Sequence, residues 1–135
     1  MANTGSIPAR LYADLLGKAY GPGGRGPSFF DCYGLVKCVL ERLGICVPDY
    51  PSAKDAGVNA ALILAAMEAG WEPIKGPEAN CIVLFRMELR AGTHVGVMVD
   101  TKRFLHVQEK TRVCVERIDS DMWKRRVMGF YRWTS

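Results

Sequence analysis

The sequence lacks most features of membrane-spanning or nucleic-acid-binding proteins. No apolar run approaches the roughly 20 residues of a membrane-spanning helix. Its first residues lack the basic and apolar regions of a signal peptide, so we expect synthesis in the cytoplasm without an export signal. The net charge is only +4, and the basic residues are scattered apart from Lys124-Arg125-Arg126. This balance does not favour nucleic acid as a partner.

The cysteines also lack the number and spacing that are typical of disulfide frameworks and zinc sites. The five cysteines are odd in number and irregularly spaced, and no C-x-x-C occurs. We therefore expect neither a disulfide framework nor a structural zinc site, and a reducing compartment suits the chain. Four of them receive no role from the sequence: Cys38, Cys46, Cys81 and Cys114.

The hydrophobic periodicity changes once along the chain. We expect a single domain over residues 1–135, with residues 1–5 flexible. Helical spacing predicts a helix from Ser6, one after Cys32 and one at 56–69, which ends at Gly70. Later residues have the shorter period of strands, with candidates at 81–87, 93–99, 104–108, 112–118 and 128–133. Helices followed by about five strands predict an α+β domain with an antiparallel sheet.

One cysteine lies where a loop rich in glycine and proline (residues 21–27) gives way to a helix. Asp31 is a suitable N-cap, and Gly44 stands where a C-terminal cap belongs. Cys32 then lies in the first helical turn, where the helix dipole lowers a thiol pKa and favours a nucleophilic sulfur. An ordinary buried thiol is the alternative.

Only two histidines occur, and both fall in neighbouring strand candidates. A three-residue loop, Asp100-Thr101-Lys102, would pair Gly96 with His106. His94, His106 and Gln108 would then share one face of the sheet, because side chains alternate along a strand. A loop shorter by one residue would separate them. We therefore predict an odd-length loop.

These residues form a plausible catalytic set if the helix of Cys32 packs on that face, where Gly96 leaves room. Cys32 would be the nucleophile, His94 the base, and His106 or Gln108 the group that orients the base. The backbone N–H of Cys32 could serve an oxyanion hole. Two alternatives remain, namely histidines with a purely structural role and a zinc site, which the lack of an acidic partner nearby disfavours.

The same residues carry a family resemblance. Asp31-Cys32-Tyr33-Gly34-Leu35-Val36, then His94-Val95-Gly96-Val97, then His106 resemble the ordered motifs of NlpC-type cysteine peptidases, which cleave peptidoglycan peptides. Tyr20 matches a tyrosine that the family keeps ahead of the cysteine, and the similarity runs over residues 20–133. Two departures occur. Tyr33 replaces the family's serine, and Glu78-Ala79-Asn80-Cys81 replaces its Pro-Gly-Asp-Leu.

The resemblance implies a papain-like fold, with N-terminal helices packed on the antiparallel sheet and the cysteine at a helix N-terminus. It implies an endopeptidase that cuts between D-glutamate and a diamino acid, without a cofactor or metal. Cys32, His94 and His106 would be the catalytic residues. Tyr20 would assist near the oxyanion or substrate, and Asp31 and Tyr33 would line the substrate pocket.

Four features of the sequence resemble those of the phage and prophage branch of this family. They are the small size, the missing signal peptide, the Asp-Cys-Tyr-Gly-Leu-Val form and the final Gly129-Phe130-Tyr131-Arg132-Trp133. That branch implies a place in the virion tail, phage tail proteins as partners, and action on the bacterial cell wall. Two other functions stay open: a non-catalytic tail-assembly or wall-binding module, and an amidase or acyltransferase that uses the same three residues.

Overall fold

The computed structural model describes residues 5–50, 69–87 and 93–134. The helix predicted at 56–69 lies outside these ranges except for its last residue. Within the described ranges, no helix has the length and apolar character needed to cross a bilayer. The architecture is α+β, as predicted: an α-helix packs on an antiparallel sheet.

Helix α1 spans Cys32–Arg42 and has both predicted caps. The Asp31 side chain accepts a hydrogen bond from the backbone N–H of Gly34 at 2.6 Å, which satisfies one of the free donors at the helix start. Gly44 follows the helix with φ of +82°, and the next N–H along the chain donates to the carbonyl of Leu40 at 2.9 Å. This bond and the positive φ of Gly44 are features of a Schellman motif, in which glycine is favoured because it lacks a Cβ.

The helix predicted from Ser6 is instead a pair of short 3₁₀ turns, Ala9–Leu11 and Ala13–Leu15. Tyr12 separates them with φ of −141°, which is not a helical conformation. The two turns still bury Tyr12 and Leu15 in the core. Helical spacing predicted Leu11 and Leu15 on one face. Leu15 is buried and Leu11 only partly buried, while Tyr12 and the backbone conformation were not predicted.

The main sheet has six strands in the order β3-β8-β4-β5-β6-β7, and a separate parallel pair joins β1 to β2. The later strands match the predicted positions. Strand β3 was missed, because Pro73 lies in its middle, and the edge position of β3 tolerates the missing N–H. The strands are β1 Ala19–Tyr20, β2 Phe29–Phe30, β3 Trp71–Ile74, β4 Ile82–Arg86, β5 Thr93–Met98, β6 Arg103–His106, β7 Cys114–Arg117 and β8 Val127–Trp133.

The β5–β6 hairpin has the predicted odd-length loop. Val97 pairs with Leu105 and Met98 with Phe104, while the N–H of Val99 donates to the carbonyl of Arg103 at 2.9 Å. This register leaves three residues in the loop and directs both histidines to the same side of the sheet.

The two sides of the sheet carry different side chains. Helix α1 covers one side, here called the helix-covered face. The catalytic hypothesis from the sequence required α1 to pack on the side of the histidines, and this condition is not met. The side chains of α1 that pack there include Leu35, Val36, Val39 and Leu40, and their burial stabilises the contact in proportion to the apolar area removed from water. The helix-covered face includes Leu35, Val36, Val39, Leu40, Val95, Val97, Leu105 and Val107. The opposite side, here called the histidine face, includes Val83, Phe85, Met98, Phe104 and Trp123.

Candidate active site

Cys32 is the first residue of α1, is half-buried, and has its thiol beside the backbone N–H of Val95. Donor directions along β5 explain this contact. The N–H of Val99 points to β6, so that of Val95, an even number of residues away, points the same way. The recorded pairing of β5 with β6 ends at Val97, and the sulfur lies near the next donor. The thiol of Cys32 therefore lies beside β5, at the residue that follows His94.

The thiol is less acidic than the sequence predicts. Burial raises the pKa of Cys32 from the ordinary value of 9.0 to about 11, and the neighbouring Asp31 charge adds to the rise. Backbone N–H groups at Val95, Tyr33 and Cys32 lower this pKa by a smaller amount. The predicted lowering by the helix start is thus wrong for the free protein, because desolvation outweighs the N-terminal donors. The resting cysteine is a neutral thiol.

The two histidines meet in the interior of the protein. His94 Nε2 lies 2.8 Å from His106 Nδ1, and the residues are 5% and 1% exposed. Rings of the histidine face surround them, with Trp123 edge-on to His106 at 5.0 Å between centroids. Burial lowers the pKa of His94 well below its usual value, and the charge of His106 lowers it further. Burial also lowers the pKa of His106, against an opposing effect of Glu116.

Glu116 completes a chain of hydrogen bonds that fixes both rings. Its Oε2 lies 2.5 Å from His106 Nε2, and an ionised carboxylate can only accept. His106 Nε2 therefore donates, and the Nδ1 of that neutral ring is an acceptor. His94 Nε2 must then donate to it, which leaves the lone pair of His94 on Nδ1. These hydrogen bonds thus give His94 the tautomer in which Nδ1 can accept a proton.

The other predicted orienting residue takes no part in this chain. Gln108 lies beyond the end of β6, and its backbone N–H donates to Thr111 Oγ1 at 2.8 Å. The ring nitrogen of His94 that it was predicted to hold is occupied by His106.

The backbone of Tyr20 is hydrogen-bonded to segments that lie next to the candidate site. It pairs with Phe30 in the short parallel ladder, two residues before the cysteine, and its N–H donates to the carbonyl of Thr111 at 3.3 Å. Its side chain is partly buried against the core of the helix-covered face. The predicted role of Tyr20 near an oxyanion stays a prediction.

Arg25 organises the residues on either side of the cysteine. Its guanidinium donates to Asp31 Oδ1 at 2.8 Å and to the carbonyl of Tyr50 at 2.7 Å. The Tyr33 hydroxyl donates to the carbonyl of Pro48 at 2.6 Å. Both Asp31 and Tyr33 are buried, so they stabilise the helix start and the segment that follows α1. Their predicted part in a substrate pocket stays a prediction.

Sequence reasoning missed Glu116 and Cys114. A usable signal was present, since strand alternation places both on one face of the candidate at 112–118, but their position beside His106 depends on the register between β6 and β7. The argument that no acidic partner lies near the histidines is therefore wrong. One donor atom each from His106, Cys114 and Glu116 lies within 4.8 Å of the others.

The fold and these contacts define a class, the α+β domains in which a cysteine at a helix N-terminus lies next to a sheet that carries buried histidines. The model of the NlpC/P60 family matches residues 17–132, and the chain belongs to this family.

Relatives agree with this assignment. "Probable endopeptidase p60" of Listeria monocytogenes serovar 1/2a is 30% identical over 118 residues, which are 87% of this chain and 22% of that protein. The chain thus spans about a fifth of the length of the curated relatives it matches.

Solved structures show the same fold. NlpC2 from Trichomonas vaginalis has a TM-score of 0.68 at 24% identity, over 94% of this chain and 45% of that chain. The NlpC/p60 domain of peptidoglycan hydrolase SagA has a TM-score of 0.60 at 20% identity, over 96% of this chain and 97% of that one.

Proposed function

We propose that the protein is a cysteine endopeptidase that hydrolyses peptidoglycan stem peptides, between D-glutamate and the diamino acid. The observation that carries this proposal is the contact of His94 Nε2 with His106 Nδ1 at 2.8 Å. His94 lies on β5, the strand whose Val95 N–H is beside the thiol of Cys32. The names of p60 and SagA, an endopeptidase and a peptidoglycan hydrolase, support the same activity.

In this mechanism Cys32 is the nucleophile and His94 the base. Since the thiol pKa is raised and that of His94 lowered, the resting pair is neutral. The proton moves from Sγ to His94 Nδ1 as the sulfur attacks the peptide carbonyl. The backbone N–H of Cys32 stabilises the oxyanion, with Tyr20 nearby as a helper. His106 holds the ring of His94 throughout.

The second half of the reaction returns the enzyme to its resting state. Protonated His94 gives its proton to the leaving amine, and the carbon–nitrogen bond breaks to leave an acyl group on the sulfur. Water then attacks this thioester while His94 takes a proton from it, the carbon–sulfur bond breaks to release the carboxylic acid, and the proton returns from His94 to the sulfur of Cys32. An amine acceptor in place of water would make the same machinery an acyltransferase.

We place this activity in a phage tail, where it would act on the bacterial wall during entry, with tail proteins as partners. The final Gly129-Phe130-Tyr131-Arg132-Trp133 and the Asp-Cys-Tyr-Gly-Leu-Val motif support this placement. The test is co-sedimentation of the protein with virion tails, using antibody against the chain. Its absence from purified tails would contradict the placement but not the activity.

One observation favours a second candidate, a non-catalytic tail or wall-binding module. The neutral thiol, with its pKa of about 11, would suit a cysteine that packs and does not react. This candidate predicts binding to cell walls that Cys32→Ala leaves unchanged, and no change in the wall peptides.

Mass spectrometry of muropeptides separates these candidates. Purified muropeptides are incubated under reducing conditions with wild type, with Cys32→Ala and with Cys46→Ala, a matched control at an exposed cysteine. We expect identical products from wild type and Cys46→Ala and none from Cys32→Ala, and the fragment masses identify the bond. Cleavage by Cys32→Ala would overturn the proposal. So would intact muropeptides after long incubation with wild type.

A further inference from the structure

We propose that His106, Cys114 and Glu116 form a binding site for a divalent cation of the zinc type, at the edge of the candidate active site. Strand pairing builds this site. Cys114 lies directly opposite His106 in the β6–β7 ladder, and Glu116, two residues further along β7, is on the same face. The backbone thus brings a nitrogen, a sulfur and an oxygen donor to one place.

The donor atoms are close to the spacing that zinc requires. Cys114 Sγ lies 3.7 Å from His106 Nε2 and 3.9 Å from Glu116 Oε2. Zinc bonds of about 2.0–2.3 Å at tetrahedral angles place ligand atoms about 3.3–3.6 Å apart. Only the hydrogen bond between His106 and Glu116, at 2.5 Å, must open, by about 0.8 Å. The Glu116 side chain is 37% exposed, which leaves it room to move.

The chemistry of the donors selects the cation. Imidazole, thiolate and carboxylate suit Zn²⁺, whereas Mg²⁺ and Ca²⁺ prefer oxygen ligands alone. Three protein ligands leave a fourth tetrahedral position for water. A ligating histidine normally hydrogen-bonds a partner through its other ring nitrogen, and His106 Nδ1 already contacts His94.

Binding would reverse the direction of the hydrogen-bond chain. Zinc takes the place of the proton on His106 Nε2, and that proton moves to His106 Nδ1, which then donates to His94 Nε2. The ring proton of His94 passes in turn to its Nδ1. Cys114 releases its thiol proton to solvent, so each zinc displaces one proton overall. His94 then has no lone pair on Nδ1 to accept the proton of Cys32, and zinc is an inhibitor; this last consequence rests on the proposed function.

Calorimetry tests the binding without any need for activity. The full chain, freed of metal and kept reduced, is titrated with Zn²⁺ in two buffers of different ionisation enthalpy. We expect one zinc per chain and release of about one proton. Cys114→Ala and Cys114→Ser should each weaken binding by at least about tenfold, while Cys32→Ala and Cys46→Ala bind as wild type does. Mg²⁺ should give no heat.

A second readout comes from the ring nitrogens. The chain has two histidines, so their ¹⁵N spectrum contains four imidazole signals. Zinc should shift the His106 Nε2 signal and exchange the protonated and unprotonated nitrogens of His94. Unchanged affinity in Cys114→Ala and Cys114→Ser, loss of binding in Cys32→Ala, or a spectrum unaffected by zinc would each overturn the site.

Inhibition is measured separately, with each variant normalised to its own rate without zinc. The half-inhibitory zinc concentration should rise at least about tenfold in Cys114→Ser, in line with its binding. Binding without inhibition would refute the effect on His94 and leave the site intact. A wild type that cleaves nothing would refute the proposed function, and the calorimetric result would still decide the site.

Discussion

The two faces of the six-stranded sheet are held together in different ways. On the helix-covered face, apolar side chains of α1 meet those of β5 and β6, and the stabilisation scales with the area that they bury. On the histidine face, two buried imidazoles lie among aromatic rings, and the ring nitrogens of His106 are hydrogen-bonded to His94 and to Glu116. Loss of a partner there leaves a buried polar atom unsatisfied, at a cost of about 1–3 kcal/mol. The first face tolerates approximate packing, whereas the second depends on individual atoms.

The largest expected effect is on turnover, from changes at Cys32 and His94. Cys32→Ala, His94→Ala and the double variant should each lower the hydrolysis rate by at least about 10⁴-fold, and to the same residual level, because nucleophile and base act as a unit. Rates on muropeptides measure this. A double variant much slower than either single variant would show that the two residues act independently.

The largest effect on stability should come from the helix-covered face. Leu35 is fully buried there, and Leu35→Ala should lower the free energy of unfolding by about 2–5 kcal/mol, as other large-to-small core changes do. Urea titration followed by circular dichroism measures this. Exposed Leu16→Ala is the matched control. An equal loss in both variants would mean that burial on this face does not determine the stability.

The reactivity of the cysteine should follow its raised pKa. Because only the thiolate reacts and the pKa of Cys32 is about 11, its alkylation rate should rise about tenfold per pH unit from pH 7 to 10. Iodoacetamide labelling followed by peptide mass spectrometry measures the rate at this position. A rate already level below pH 8 would instead indicate a thiolate–imidazolium pair in the free protein.

Glu116 tests the hydrogen-bond chain of the histidine face. Glu116→Ala removes the acceptor that fixes the His106 tautomer, so the hydrolysis rate should fall about tenfold to a hundredfold, at most the lower limit of what acid–base catalysis contributes, because the base itself is still present. Glu116→Gln keeps an acceptor oxygen and should recover most of the rate. Wild-type turnover in Glu116→Ala would remove this residue from the mechanism.

The smallest effect should come from the helix terminus. Gly44 has φ of +82°, and an added Cβ would meet no other atom within 4 Å. Gly44→Ala should therefore lower the free energy of unfolding by only about 1–2 kcal/mol, the cost of holding alanine in the left-handed conformation. Urea titration is again the measurement. Unchanged stability would mean that the cap relaxes to another conformation.

Local patterns predicted much of this structure. The caps of α1, the later strands of the main sheet and the odd-length loop between β5 and β6 all follow from short stretches of sequence, because turn residues and alternation act within a few positions. The shared side of His94 and His106 follows from the same loop. The strand at Trp71–Ile74 did not follow, since Pro73 is allowed there only by an edge position that a sequence does not reveal.

The remaining features depend on contacts between distant parts of the chain. The side of the sheet that α1 covers is decided by competition between two faces, and it is not the side that the catalytic hypothesis assumed. The raised pKa of Cys32 depends on burial in the folded chain, which outweighs the helix dipole that the sequence suggests. The position of Glu116 next to His106 follows only from the β6–β7 register, which pairs Phe104 with Glu116 and His106 with Cys114.

Trp123 is in contact with both histidines, at centroid distances of 5.9 Å to His94 and 5.0 Å to His106. Indole fluorescence is quenched by a nearby imidazolium more strongly than by a neutral imidazole. The fluorescence intensity of Trp123 therefore depends on whether His94 and His106 are charged, and it can be measured without a label or a substrate. With its other two tryptophans replaced by phenylalanine, the protein would report proton arrival at its histidines in real time.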